Sequence, residues 1–224
     1  MVLLILSADQ FLKFWVKTNM VLGENGEIPV IANWFKLHFT ENDGMAFGLT
    51  FGRPDGKGKL FLTLFRLVAV SGIIYYLIHQ IRNGAKKGTI ILIALILAGA
   101  LGNIIDSVFY GLWFTQSHVF GLPAEWAVDG NNYGKLFYGK VVDMFYFPLF
   151  QGTYPSWFPV VGGQPFTFFS AIFNLADASI SIGLISILVF KRELFGNSSI
   201  VLNSESKDTE MEEFGQDTLT EETK

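Results

Sequence analysis

Asparagine and aspartate recur three residues apart in two apolar stretches: Asn103 and Asp106 in AGALGNIIDS, and Asn174 and Asp177 in FNLADASISIG. This spacing puts both side chains of each pair on one helix face. Ser181 lies four residues beyond Asp177 on that face, and Ser107 lies beside Asp106. A carboxylate near a bilayer centre costs roughly 2.5–3.5 kcal/mol on insertion scales, so an acid at that depth is either compensated or used. Asp177 has no cation at intrahelical pairing distance, which marks it as functional. Asp143, in GKVVDMFYF, is set among Val141, Val142, Met144 and Phe145 and is expected against the membrane or under a lid. Two such carboxylates brought together would share one proton, because like charges in one site raise one pKa. The ionised acid then activates water, while its protonated partner polarises a carbonyl and later serves the leaving amine. That is the chemistry of an aspartic hydrolase.

The composition closes other routes. There is no cysteine, so disulfides, thiolate metal sites and cysteine nucleophiles are excluded. His38, His79 and His118 lie far apart without ligand spacing, so no metal and no cofactor is expected. Nothing points to nucleic acid. The polar residues also have blander readings. Asp9 and Lys13, four apart, form an ion pair that satisfies itself. Asn103 and Asn174 equally read as interhelical hydrogen-bond glue, and Gly44 and Gly99 as backbone or packing devices. Glu41, Asp43, Asp55 and Asp129 read as solvated loop charges.

The elements that must carry these residues belong in a membrane. Half the chain is hydrophobic and only 16% is charged, against about 25% in soluble domains. Spanning helices need about 20 apolar residues, and four segments qualify: Val2–Leu22, Leu60–Ile81, Thr89–Val108 and about Phe166–Phe190. The first lacks a basic leader and a cleavage site, so it reads as a retained helix. Basic RNGAKKG and KRE place the short connections in the cytoplasm, with both termini inside and the long segments 23–59 and 109–165 outside. IANWFKLHFTEN alternates like short strands, and LWFTQ and WFPVVGG read as interfacial aromatic belts. No internal repeat supports a repeat-built transporter. The expected fold is a membrane all-α, four-transmembrane-helix bundle with a small extracytoplasmic β-rich loop region. The membrane domain covers 1–192. In 193–224, eight acids from Glu205 onward oppose two lysines, and this acidic cytoplasmic tail reads as disordered.

In order along the chain, Asp9 with Lys13, NDGMAF (Asn42, Gly44), GALGNIID (Gly99, Gly102, Asn103, Asp106), GKVVD (Gly139, Asp143) and FNLAD (Asn174, Asp177) form a set. With these blocks the chain resembles the lipoprotein signal peptidases, or signal peptidase II, the bacterial membrane aspartyl proteases. The resemblance covers most of 1–192. It implies a catalytic pair of Asp143 and Asp177, with Asn42, Asn103 and Asn174 holding the substrate backbone or positioning the acids. It further implies diacylglyceryl-modified prolipoprotein substrates in the inner membrane, cut on the amino side of the lipidated cysteine, and inhibition by globomycin. Membrane lipid is the other partner, and nothing requires more than a monomer. Two departures stand out. The family carries Arg after the Asp of its G-N-x-x-D block, where this chain has Ser107, so that its role is either filled by Lys135 or Lys140 or dispensable. An added stretch, Phe109–Tyr138, enlarges the loop between helices 3 and 4 and brings in Asp129 as a rival to Asp143. AVDGNN reads as an exposed turn, which disfavours the rival. The alternatives from other classes are a small transporter or channel using Asp177 and Asp106, and a non-enzymatic scaffold.

Overall fold

The computed structural model describes residues 1–32, 34–43, 57–190 and 193–194. Among them are four long helices: α1 (Val2–Asn19), α2 (Lys57–Arg82), α3 (Lys87–Ile105) and α4 (Leu175–Val189). α3 is the centre of the bundle and packs on each of the other three. Its glycines make this possible. A Cβ on Gly99 would run into the Ala176 carbonyl of α4, and one on Gly102 would lie 2.5 Å from Asp9 Oδ2 of α1. Small residues at a helix contact let the backbones close to van der Waals distance.

Polarity runs inside out. Asp9, Lys13 and Lys17 of α1 are buried, while Leu3, Leu4 and Phe11 on the same helix are 70% exposed or more. α2 likewise shows Phe61, Phe65, Val68 and Tyr75 outward. A water-soluble fold would invert this pattern, since exposed apolar area of this extent needs an apolar surrounding.

Two helices are long and apolar enough to cross a bilayer, Lys57–Arg82 and Lys87–Trp113. The four spans expected from sequence are thus met in part. α1 falls outside that test because its buried Asp9, Lys13 and Lys17 dilute its hydropathy. α4 is shorter than the expected Phe166–Phe190, because Pro165–Phe168 and Ile172–Phe173 are strands. Asn174 is consequently the N-cap of α4 rather than a residue within it, and Asp177 stands in the first turn. The third span, expected to stop near Val108, runs on through a five-residue π turn (Asp106–Tyr110) and a final turn, Gly111–Trp113. Such widened turns recur at functional sites.

The sheet sits at one end of the bundle. Its antiparallel strand order is β1 (Ile28–Ile31), β2 (Phe35–Asn42), β3 (Val141–Tyr146), then β6 (Ile172–Phe173). A hairpin of β4 (Phe150–Thr153) and β5 (Pro165–Phe168) fills the excursion between β3 and β6. The two inner strands carry the site. Thr40 of β2 faces Asp143 of β3, and Phe145 of β3 faces Phe173 of β6. Val142, Met144 and Phe39 pack with Val16, Met20, Tyr110 and Phe114 into the core that joins sheet to bundle.

The stretch Phe109–Tyr138 divides accordingly. Its first five residues are helical, and the remainder folds back over the end of α3. Gly139, Phe137 and Gly134 donate N–H groups to the carbonyls of Ser107, Val108 and Gly111. These carbonyls lie where a helix end leaves acceptors unfilled, so the added chain serves as a cap. Gly139 is pressed against the Asp106 carbonyl with no room for a Cβ.

The close α3–α4 approach leads to a prediction of sign. Gly99→Ala puts a methyl group into the Ala176 carbonyl and should cost about 1–3 kcal/mol, the usual range for overpacking. Gly72→Ala in α2 meets nothing within 4 Å and should be neutral or slightly stabilising through helix propensity. Thermal melting of the two purified variants against wild type reads both.

Candidate active site

α1 contributes a buried cation. Lys13 Nζ lies 2.9 Å from Asp9 Oδ2 and 2.9 Å from Asp106 Oδ2, and donates to Asn103 Oδ1 at 2.9 Å. The expected Asp9–Lys13 pair therefore exists but is half of a larger unit. Asp9 Oδ1 accepts the backbone N–H of Ala176 at 2.9 Å, which ties the start of α4 to α1. Asp106 Oδ2 accepts from Val142 N at 3.3 Å, which ties α3 to β3. Gln10, which the sequence reading passed over, donates to Asp106 Oδ1 at 3.0 Å and to the Gly102 carbonyl at 3.2 Å. Its signal was its place beside Asp9 in a helix otherwise short of polar groups.

Asn103 and Asn174 connect this unit to two further acids. Asn103 Nδ2 donates to Asp177 Oδ1 at 2.8 Å. Asn174 Nδ2 lies within hydrogen-bond distance of three oxygens: Asp143 Oδ1 at 2.6 Å, Asn103 Oδ1 at 3.2 Å and the Val142 carbonyl at 3.3 Å. Asn174 and Asp177 also form a reciprocal capping box. Asp177 N donates to Asn174 Oδ1 at 2.9 Å, and Asn174 N to Asp177 Oδ2 at 3.3 Å. The three-residue spacing read as a shared helix face is thus the geometry of a cap. The strand register delivers it, because β6 ends at Phe173 opposite Phe145, beside Asp143. Asn42 Nδ2 approaches Asp143 Oδ2 at 3.4 Å from β2.

Asp143 is 3% exposed. Burial, and then the neighbouring charge of Asp177, push its carboxyl up to about 7, against the smaller opposing pull of Lys13 and the two asparagines. Desolvation and a like charge both disfavour a second anion. Raised in this way, Asp143 holds a proton into the neutral range beside a second carboxyl group, which is what acid–base work on one substrate requires.

A second buried cluster lies on the other side of β2. Glu41 is not the solvated loop charge that its sequence context suggested. Its side chain is 3% exposed and forms an ion pair with the buried Lys17. Ser117 Oγ donates to Glu41 Oε1 at 2.9 Å and receives Lys17 Nζ at 2.8 Å. Lys140 Nζ stands 3.4 Å from Glu41 Oε2, and the Tyr133 ring lies 4.6 Å from Lys17 Nζ. Burial would raise the Glu41 carboxyl, but the adjacent Lys17, with Lys140, holds it below the usual carboxylate range. The signal was available, since Asp9, Lys13 and Lys17 form an i, i+4, i+8 stripe on one face of α1.

The remaining candidates separate cleanly. Gly44 lies outside the described residues, as do residues 195–224 of the acidic tail. Gly99 serves packing, as its blander reading held. Ser181 is exposed and takes no part in the hydrogen bonds of the site. Asp129 occupies an exposed turn at φ +51°, followed by Gly130 at φ +83°, and takes no part in the network. Lys135 is exposed and Lys140 faces Glu41, so neither occupies the place expected of it. The cation beside Ser107 comes from α2. Arg66 Nη1 donates to Ser107 Oγ at 3.2 Å. Its sequence signal was plain, as the sole Lys, Arg, Asp or Glu between residues 60 and 81.

Removing one member of the second cluster leaves a buried charge unanswered. Lys17→Met should lower stability by roughly 3–5 kcal/mol, and Lys17→Met with Glu41→Gln should recover most of the loss. Melting curves of both variants check this. For Asp143 the sign is opposite. Its folded pKa lies above the unfolded value, so its favourable contribution is complete at low pH and lost as pH rises through about 7. Asp143→Asn should therefore melt above wild type at pH 8, and the gap should narrow as pH falls below about 7 and close only below about 4, the ordinary carboxylate range.

This chain is similar to several lipoprotein signal peptidases. It is 49% identical over 192 residues to the lipoprotein signal peptidase of Porphyromonas gingivalis, covering 84% of this chain and 80% of that protein. The corresponding figures for the lipoprotein signal peptidase of Amoebophilus asiaticus are 40% over 191 residues, 85% and 75%. Two solved bacterial membrane enzyme structures, determined in meso at 2.3 and 1.9 Å, share its fold with TM-scores of 0.55 and 0.53 at 22% identity. The first covers 88% of both chains; the second covers 84% of this chain and 87% of its own. The signal peptidase II family model matches residues 1–192, the whole span that holds both acids and the helices and strands that bring them together. The chain belongs to the signal peptidase II family.

Proposed function

We propose that this chain is a membrane aspartyl endopeptidase that removes the signal peptide from diacylglyceryl-modified prolipoproteins, with Asp143 and Asp177 as its catalytic pair. The observation that carries the assignment is that one hydrogen-bonded amide pair, Asn103 and Asn174, joins a buried acid protonated up to about pH 7 to a second acid. Asp143, with Oδ1 engaged by Asn174, carries the shared proton on Oδ2. Asp177, an acceptor at both oxygens, is the base.

In the reaction, Asp177 takes a proton from water as the water oxygen bonds to the scissile carbonyl carbon. Asp143 gives its proton to the carbonyl oxygen, forming a neutral gem-diol. The carbon–nitrogen bond then breaks as Asp177 passes its proton to the leaving nitrogen. Asp143 recovers a proton from a gem-diol hydroxyl, which restores the resting pair. The products are the signal peptide with a free carboxyl group and the amine of the lipidated cysteine. Asn42, at the edge of the pair, is suited to hold the substrate backbone. Asp9, Lys13 and Asp106 hold the scaffold beneath it.

Four crossings by α1 to α4, with both ends cytoplasmic, would place this pair at the outer face of the inner membrane. Signal helix and diacylglycerol would both approach it from the bilayer. Residues 193–224 would form a cytoplasmic tail outside the catalytic unit, and the enzyme would act as a monomer. Globomycin should compete for the site.

The test is cleavage of a diacylglyceryl prolipoprotein by wild type, Asp143→Asn, Asp177→Asn and Asp129→Asn, each checked for folding. The first two variants should lose about 10²–10⁴-fold in rate, and Asp129→Asn should match wild type. The wild-type rate should fall as pH rises through about 7, where Asp143 loses its proton. Near-normal turnover by Asp143→Asn would remove that residue from the pair. Absence of cleavage by wild type, with ion flux abolished by Asp177→Asn, would favour a transport protein.

A further inference from the structure

The acids of the site outnumber its lysine. Asp9 from α1, Asp106 from α3, Asp143 from β3 and Asp177 from α4 are linked in one buried network, and Lys13 is the lysine in contact with it. Four carboxyl groups thus face one ammonium. Burial of such an excess is unfavourable at the low effective dielectric of the interior.

Arg66 supplies a second cation. It is half-buried on α2, a helix whose other residues from 60 to 81 carry no Lys, Arg, Asp or Glu. A guanidinium inside such a helix is costly unless a polar interior receives it. From Arg66 Nη1 the path runs to Ser107 Oγ at 3.2 Å, from that hydroxyl to the Asn103 carbonyl at 2.8 Å, and from Asn103 Nδ2 to Asp177 Oδ1 at 2.8 Å.

We infer that Arg66 is a positioning residue for the catalytic pair: its guanidinium, held at Ser107, keeps Asp177 in its ionised form as the base while the proton stays on Asp143. This rests on the peptidase reading above. It makes α2 part of the active site, although α2 supplies none of the acids. Because Arg66 acts through field and hydrogen bonds, its loss should lower the fraction of enzyme in the correct protonation state more than it weakens substrate binding.

The experiment is the pH–rate profile for cleavage of the diacylglyceryl prolipoprotein by wild type, Arg66→Met, Arg66→Lys and Asp143→Asn, with melting temperatures alongside. Arg66→Met should lose at least about tenfold in kcat with KM changed less than threefold. Its acid limb should move to higher pH by about one unit, the usual effect of removing an opposite charge near a carboxylate. Arg66→Lys should restore part of the rate and return the limb toward wild type. A folded Arg66→Met with wild-type kcat and an unmoved limb overturns the inference, as does an equal loss in both variants that follows melting temperature with the limb fixed. If Arg66→Met does not fold, Ser107→Ala carries the test by removing the hydroxyl between the guanidinium and Asn103. A limb displaced the same way supports the role, and an unmoved limb overturns it. Wild type and Asp143→Asn separate the two claims. A wild type that does not cleave sinks the peptidase reading, whereas an active wild type and inactive Asp143→Asn beside an unaffected Arg66→Met sink only the role of Arg66.

Discussion

Lys13 has no solvent-accessible surface, and its ammonium group meets three oxygens from two helices. An isolated ammonium buried in this way would be prohibitively costly, so it dictates its surroundings. Asp9 and Asp106 must both lie within reach, and Asn103 must turn its carbonyl oxygen toward the lysine. Once that oxygen is committed, the amide nitrogen of Asn103 points the other way, to Asp177. The orientation of the Asp177 carboxylate thus follows from the need to answer one buried charge on a neighbouring helix.

The same economy places the chain's other segments. Asp9 holds the first turn of α4 through Ala176 N, and Asp106 holds β3 through Val142 N. Two acids that balance Lys13 therefore also dock the two elements that bring in Asp177 and Asp143. Around them the close packing of α3 on α4 and α1 leaves no side-chain volume at Gly99 and Gly102. Ion pairing and steric fit act on one helix face, which explains why glycine, asparagine and aspartate alternate along GALGNIID.

The two acids of the site differ because their settings differ. Asp143 lies on an inner strand whose first four residues are all buried, and it has no ion-pair partner of its own among the described residues. Asp177 lies in the first turn of a helix, where backbone N–H groups favour negative charge. One fold thus sets one acid on a buried strand and the other at the start of a helix. The second cluster, Lys17 with Glu41, Ser117 and Lys140, fixes β2 and the stretch after α3 to α1. It holds the strand that bears Asn42.

Much of this was legible along the chain. The two Asn–Asp pairs, the isolated acid in KVVDMF and the Asp9–Lys13 spacing each carried a local physical signature. So did the length of the apolar runs in α2 and α3. These are properties of neighbours in sequence: helix-face spacing, hydropathy, and a charge where charge is costly. What the sequence by itself could not settle was which side chains meet across the bundle. Glu41 read as a solvated loop charge because its partner Lys17 is 24 residues away. Asn174 read as a helix residue because the aromatic run before it is equally compatible with helix and strand, and only pairing with β3 makes Ile172–Phe173 a strand. Lys135 and Lys140 were expected near Ser107, yet Arg66 reached it from another helix, 41 residues away. The residue types and their local spacing determined what chemistry was available. Tertiary packing decided which groups share it, because charge balance and amide orientation in a buried site are fixed by distances in space that sequence separation does not encode.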